Sequence, residues 1–183
     1  DPLLARLIAQ HPGLRVPGTW DGLELAIRAV LGQQITVSAA IKLAGKLVAQ
    51  YGTPLTSAHG SLTHVFPEAA VLAAADLATL GMPKSRGRTL SGVAQALLDD
   101  PLLFEPGRQG GVKRLLGLYG IGDWTAQYIA LRQLREMDGL PNGDVGLINA
   151  LVALEGGVVT ARDLLARAEG WRPYRGYAAQ LLW

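Results

Sequence analysis

Two glycines bracket a single apolar residue in Leu118-Tyr119-Gly120-Ile121-Gly122-Asp123-Trp124-Thr125-Ala126, with amphipathic sequence on either side. A turn of this kind exposes main-chain N–H groups at a helix start, where the helix dipole adds its field, and that combination suits a phosphate. The contact would fix position without reading base sequence. The plain alternative is an αα-hairpin whose glycines only permit close packing. Twenty residues after Trp124, the run Gly139-Leu140-Pro141-Asn142-Gly143 delivers Asp144 to the start of a further helix. Asp is a preferred helix N-cap, so a structural role accounts for it, while amides at a helix start also favour a charged carboxylate. Trp124 and Tyr128, four apart, share one helix face. Lys84, Arg86 and Arg88 form the densest basic cluster, read either as a phosphate contact or as a solvated helix face. His11, His59 and His64 fall in surface or loop sequence away from these motifs.

The elements that must position these residues are helical. Apolar residues recur at three- and four-residue spacings through most of the chain and strand signals are almost absent, so the expected class is all-α. Leu3, Leu4, Leu7 and Ile8 open a short helix. Asp21 can cap a second that runs to Leu31, and residues 36–50 form a third. Pro67 suits the first turn of a helix, Asp76 caps a short one stopped by Gly81 and Pro83, and residues 84–100 form a longer one. Residues 112–118 and 123–136 flank the glycine turn as a helix-hairpin-helix. Thr160 and Asp163 have capping-box spacing, and Pro173 suits the first turn of a final helix ending at Trp183.

Composition bounds the rest. With 183 residues, 49% of them apolar, the chain can bury one sizeable core or two apposed lobes. It has no cysteine, which excludes a disulfide scaffold, a thiolate zinc site and a cysteine-ligated iron–sulfur cluster. A formal charge of +2 means that any nucleic-acid contact must be local. No apolar run approaches the roughly 18 residues of a membrane span and no secretory pattern opens the chain, so a soluble protein of the bacterial cytoplasm is expected. The first residue is Asp1 rather than Met, which suggests a fragment.

The hairpin sequence, the turn-rich loop and the Asp behind it resemble the helix-hairpin-helix DNA glycosylases. The similarity to their 3-methyladenine DNA glycosylase II (AlkA) group extends through Ala29-Val30-Leu31-Gly32-Gln33-Gln34-Ile35-Thr36-Val37, Leu80-Gly81-Met82-Pro83 and Trp171-Arg172-Pro173-Tyr174-Arg175-Gly176-Tyr177, nearly the whole chain. The resemblance implies an all-α fold of two lobes with the active site in a cleft between them: residues 23–138 as a central lobe holding the hairpin, residues 1–22 with 139–183 as the second. The α/β domain that precedes these in the AlkA group would be absent.

The same resemblance implies base-excision repair of alkylation damage: the damaged nucleotide is flipped out of double-stranded DNA and the N-glycosidic bond of an alkylated purine, of the 3-methyladenine or 7-methylguanine type, is hydrolysed. Asp144 takes the place of the essential carboxylate, an anion beside C1′ that stabilises positive charge building on the sugar and orients or deprotonates water. Trp124 stands where bifunctional relatives carry a nucleophilic lysine, so no lyase activity is expected. Trp124, Tyr128 and Trp183 would line the base pocket, whose electron-rich faces suit cationic bases; the alternative for each ring is a core position. Gly120, Gly122 and Thr125 would hold phosphate. Gln33 and Gln34 sit where the family inserts a wedge into the gap left by the base, although the AlkA group has Leu at the position of Gln34; a plain interhelical turn is the alternative. Backbone carbonyls of Leu116, Leu118 and Ile121 would hold a monovalent cation, Na+ or K+. No organic cofactor or iron–sulfur cluster and a monomeric state are expected. Two rival functions stand beside this one: a glycosylase for uracil or deaminated bases, and a DNA-binding module without chemistry.

Overall fold

Among the described residues the chain forms ten α-helices, several of them with starts fixed by short polar side chains. In the computed structural model, which describes residues 1–183 except the side chain of Ala58, Asp1 accepts from Leu3 N as the cap of α1 (Pro2–Gln10). Asp21 accepts from Glu24 N at the head of α2 (Gly22–Leu31), and Thr36 from Ala39 N at the head of α3 (Val37–Tyr51). Each such cap stabilises a helix start by about 1 kcal/mol. Among the described residues no helix is long and apolar enough to cross a membrane.

The chain divides into two compact units. The second of these, residues 21–105 and 113–121, contains α2, α3, α4 (Ala69–Ala74), a 3-10 turn at Leu77–Leu80, α5 (Lys84–Asp99) and the body of α6 (Gly111–Leu116). Its interior is aliphatic: Ile27, Leu31, Leu47, Leu72, Leu90 and Leu115 are among its fully buried side chains. It also contains a small antiparallel hairpin, β1 (Thr53–His59) and β2 (Leu62–Val65), registered Thr53 with Val65 and Pro54 with His64. The helical periodicity gave no hint of these strands. Their alternation is carried by Thr, Ser and His rather than by a run of large apolar residues, and the turn is a bare Gly60-Ser61.

The first unit, residues 1–20, 106–112 and 122–183, holds α1, α7 (Asp123–Ile129), α8 (Val145–Glu155), α9 (Ala161–Ala168) and α10 (Arg175–Leu182). Leu3, Leu7, Leu147, Leu151, Leu164 and Trp171 lie in its buried core. Truncating one of the fully buried leucines to Ala would cost about 2–5 kcal/mol. Thr160 and Asp163 form the expected reciprocal capping box of α9.

This division departs from the expected one, because residues 122–138 belong with the chain ends rather than with a central lobe. Packing explains the difference. Asp138 pairs with Arg172 and Arg175, Gly176 N donates to Met137 O at 2.8 Å, and Gln127 Oε1 accepts from Leu140 N. The end of the α7 segment also departs from the expected helix to 136. After Ile129 the backbone widens into a π turn at Ala130–Leu134 and stops at Arg135, whose φ of 59° is left-handed.

Candidate active site

Asp144 meets three N–H donors from three parts of the first unit. As N-cap of α8 its Oδ1 accepts from Leu147 N at 2.9 Å. The same oxygen accepts from the Trp183 indole Nε1 at 3.0 Å, and Oδ2 accepts from the Trp124 Nε1 at 2.9 Å. The helix cap and the carboxylate singled out in the sequence are therefore one group, and its orientation is over-determined. Hydrogen bonds to a carboxylate are the stronger kind, about 1.5–3 kcal/mol each. Gly146 belongs to this arrangement as well, since a Cβ there would stand 2.9 Å from Asp144 Oδ1 and 3.4 Å from Trp183 Cδ1.

The three expected pocket aromatics do come together. Trp124 and Tyr128 stack with centroids 5.1 Å apart and planes 7° from parallel, and Trp183 meets Tyr128 edge-on at 6.4 Å. Trp183 is 41% exposed, which excludes the core reading for it. A fourth group was not anticipated. Arg132 places its guanidinium carbon 5.6 Å from the Tyr128 centroid and 5.5 Å from that of Trp183, and its Nη1 donates to Pro17 O at 3.3 Å. The signal was present in the sequence: Arg132 extends the four-residue ladder of Trp124 and Tyr128 by one step.

In the second unit, the turn at Gln33–Gln34 is tied to the hairpin turn. Gln33 Nε2 donates to Gly120 O at 3.2 Å, and Arg86 Nη2 donates to Gln33 O at 2.5 Å. Gln34 is exposed and held at φ 57°, a left-handed conformation that side chains rarely adopt. Gly120 itself has φ 77°, and a Cβ there would collide with the Thr89 side chain. Arg88 lies over the Tyr119 ring at 4.2 Å. The basic cluster thus splits: Arg86 supports the turn from behind and Arg88 is stacked, so neither is a simple solvated charge.

Gly122 caps α7 with no side-chain acceptor. Thr125, one of the expected phosphate contacts, is only 3% exposed, so its side chain is turned into the unit. Asp123 brings an exposed carboxylate into the same first turn.

The family profile described as HhH-GPD superfamily base excision DNA repair protein matches residues 27–173. The chain belongs to the HhH-GPD superfamily. It is 43% identical over its whole length to a Mycobacterium tuberculosis protein named probable bifunctional transcriptional activator/DNA repair enzyme AlkA, of which it covers 37%. It is 36% identical, over 98% of its length, to DNA-3-methyladenine glycosylase 2 of Escherichia coli, of which it covers 63%. The chain thus spans between about a third and two thirds of these relatives. Among solved structures, the HhH-GPD chain superposes along its whole length on 64% of a 3-methyladenine DNA glycosylase from Archaeoglobus fulgidus with a TM-score of 0.81 at 23% identity. It likewise matches 88% of the Schizosaccharomyces pombe 3-methyladenine DNA glycosylase in complex with abasic DNA, with a TM-score of 0.75 at 23% identity. These likenesses give the HhH-GPD chain its fold, that of the helix-hairpin-helix glycosylases.

Proposed function

We propose that this HhH-GPD chain is a DNA glycosylase that hydrolyses the N-glycosidic bond of N-alkylated purines in double-stranded DNA and leaves an abasic site. The observation that carries the reading is the Asp144 carboxylate, fixed by two indoles and a helix amide beside a cluster of aromatic rings. As the C1′–N bond breaks, positive charge develops on the sugar, and a carboxylate held in place stabilises it without reorganising. Water then adds at C1′, with Asp144 orienting it or accepting its proton. The rings receive the flipped base, an extrusion that costs a few kcal/mol.

Trp124 cannot form a Schiff base, and its indole is already engaged with Asp144, so the reaction ends at hydrolysis. The exposed Gln34, on its strained turn, is read as filling the gap left by the base, and the glycines of the hairpin turn, Gly120 and Gly122, as contacts for phosphate. A monovalent cation would be held by the carbonyls of Leu116, Leu118 and Ile121. The chemistry of these neutral oxygens at the C-terminal end of α6 fits it, and the Leu118 carbonyl, which accepts from Ile121 N at 3.2 Å, has a second lone pair. Such an ion would lend positive charge to the phosphate contact. A monomer acting in the bacterial cytoplasm completes the reading.

The test is release of 3-methyladenine and 7-methylguanine from methylated duplex DNA by the parent and by Asp144→Asn. The parent should release both bases without nicking the strand before alkali, and the variant should lose about 10²–10³-fold in rate. DNA binding without release by either protein would overturn the reading.

A further inference from the structure

The rings expected to attract a cationic base already carry a cation of the protein's own. Tyr128 lies in the ladder between Trp124, four residues before it, and Arg132, four residues after it, and the guanidinium stands within 6 Å of both the Tyr128 and the Trp183 rings. Arg132 sits in the π turn, a widening of the helix that recurs at functional sites. Its Nη1 is anchored on Pro17 O, while its Nε is buried with no hydrogen-bond partner in the protein. A guanidinium keeps its charge at any working pH.

We propose that Arg132 is a specificity residue that lowers the preference of this pocket for cationic purines relative to neutral ones. The proposal rests on the glycosylase reading above. When the C1′–N9 bond breaks, its electron pair passes to the base. A 7-methylguanine that enters as a cation leaves neutral, so a nearby guanidinium opposes its binding, and the repulsion relieved on departure only returns what binding lost, leaving kcat/KM without a net gain. A neutral oxopurine such as hypoxanthine leaves with negative charge until it gains a proton, and the same guanidinium stabilises that charge. Water adds at C1′ in both cases; its proton passes by way of Asp144 to solvent when 7-methylguanine has left neutral, and ends on the departed oxopurine in the other case. Arg132 therefore discriminates by charge, without touching the sugar.

The experiment compares single-turnover kcat/KM on two duplexes that differ only in one base, 7-methylguanine or hypoxanthine, for the parent, Arg132→Gln and Arg132→Lys. Arg132→Gln should raise the ratio of 7-methylguanine to hypoxanthine release by about 3- to 30-fold, the range of one cation–π contact, and Arg132→Lys should keep the parent's ratio within about threefold, the lower bound of that range. Because the ratio is internal to each protein, a loss of folded material cancels. A ratio in Arg132→Gln that falls or stays within that threefold overturns the proposal, as does a Lys variant that shifts as far as the Gln variant. Failure of the underlying glycosylase reading is separately visible, since the parent would then release neither base.

Discussion

Around Asp144 the acceptor is a side-chain carboxylate and the donors are two indoles and one amide, whereas at the Gln33–Gln34 turn the acceptors are main-chain carbonyls and the donors are the side chains of Arg86 and Gln33. The first arrangement fixes one reactive group. The second fixes a stretch of backbone, and through it the direction of an exposed side chain at a φ it would not choose. A chemical group held this way is sensitive to ångström shifts, while a held backbone loses its presentation gradually as supports are removed.

The largest effect that would break or confirm this contrast is expected at Gly146. Ala is a better helix former than Gly by about 1 kcal/mol, and nothing in the φ of Gly146 forbids it. The added methyl would nonetheless crowd Asp144 Oδ1 and Trp183. Gly146→Ala is expected to keep or raise the thermal midpoint while base release falls roughly 10- to 100-fold, the scale of a 1 Å misplacement. A variant that is stable and fully active would show that the carboxylate tolerates displacement.

Gln33→Leu is the corresponding change at the other region. It removes one neutral hydrogen bond to Gly120 O, so base release at subsaturating enzyme should fall by about 3- to 10-fold. Affinity for undamaged duplex, which the proposed function assigns to the hairpin, should stay within about twofold, well below that single hydrogen bond. Equal losses in both measurements would mean that the turn and the hairpin are not separable.

The same contrast explains what was legible in the sequence. Asp144 could be placed because a turn-rich loop, a helix start and a carboxylate are all local, and its cap role is a matter of three residues. The indole donors were read as pocket walls, since a sequence shows which rings exist but not where an Nε1–H points. Arg132 is legible as the next step of the ladder after Trp124 and Tyr128, but the π turn that carries it and its approach to Trp183 are not. Thr125 is a parallel case: its place in the hairpin motif is legible in the sequence, but the inward turn of its side chain is not. The grouping of residues 122–138 with the chain ends follows pairings of Asp138 with Arg172 and Arg175, more than thirty positions away, which no local pattern announces. The β1–β2 hairpin, built from short polar residues, had no apolar alternation to read.

Asp123 sharpens the comparison from the side of the hairpin. Its carboxylate complements the dipole of α7, worth about 0.3–1 kcal/mol, yet it places negative charge among the amides proposed to hold phosphate. Asp123→Asn should therefore lose a little stability while tightening duplex binding about two- to fivefold at low salt. The gain should vanish as salt is raised, because screening removes the repulsion first. An affinity unchanged at low salt would place the phosphate elsewhere.

The smallest effect separates the regions by acid. The three carboxyls held below their ordinary range, Glu155, Asp163 and Glu169, all belong to the first unit. For Glu169 the first cause is its hydrogen bond with Arg172, which also pairs with Asp138 on the segment leading to Asp144. A depressed carboxyl contributes stability that is present above its ordinary value of 4.5 and is lost as pH falls through the lower folded value. All four tryptophans, Trp20, Trp124, Trp171 and Trp183, lie in that same unit, so their fluorescence follows it selectively. By that probe Glu169→Gln should unfold at a slightly lower temperature than the parent at pH 6, by about 2 °C for an exposed pair. The gap should close as pH is lowered below 4.5, where the parent's carboxyl takes up its proton. A gap that persists at pH 3 would mean that Glu169 acts through packing rather than charge. The segment before Asp144 would then be held to α10 by Asp138 and by the hydrogen bond from Gly176 N to Met137 O.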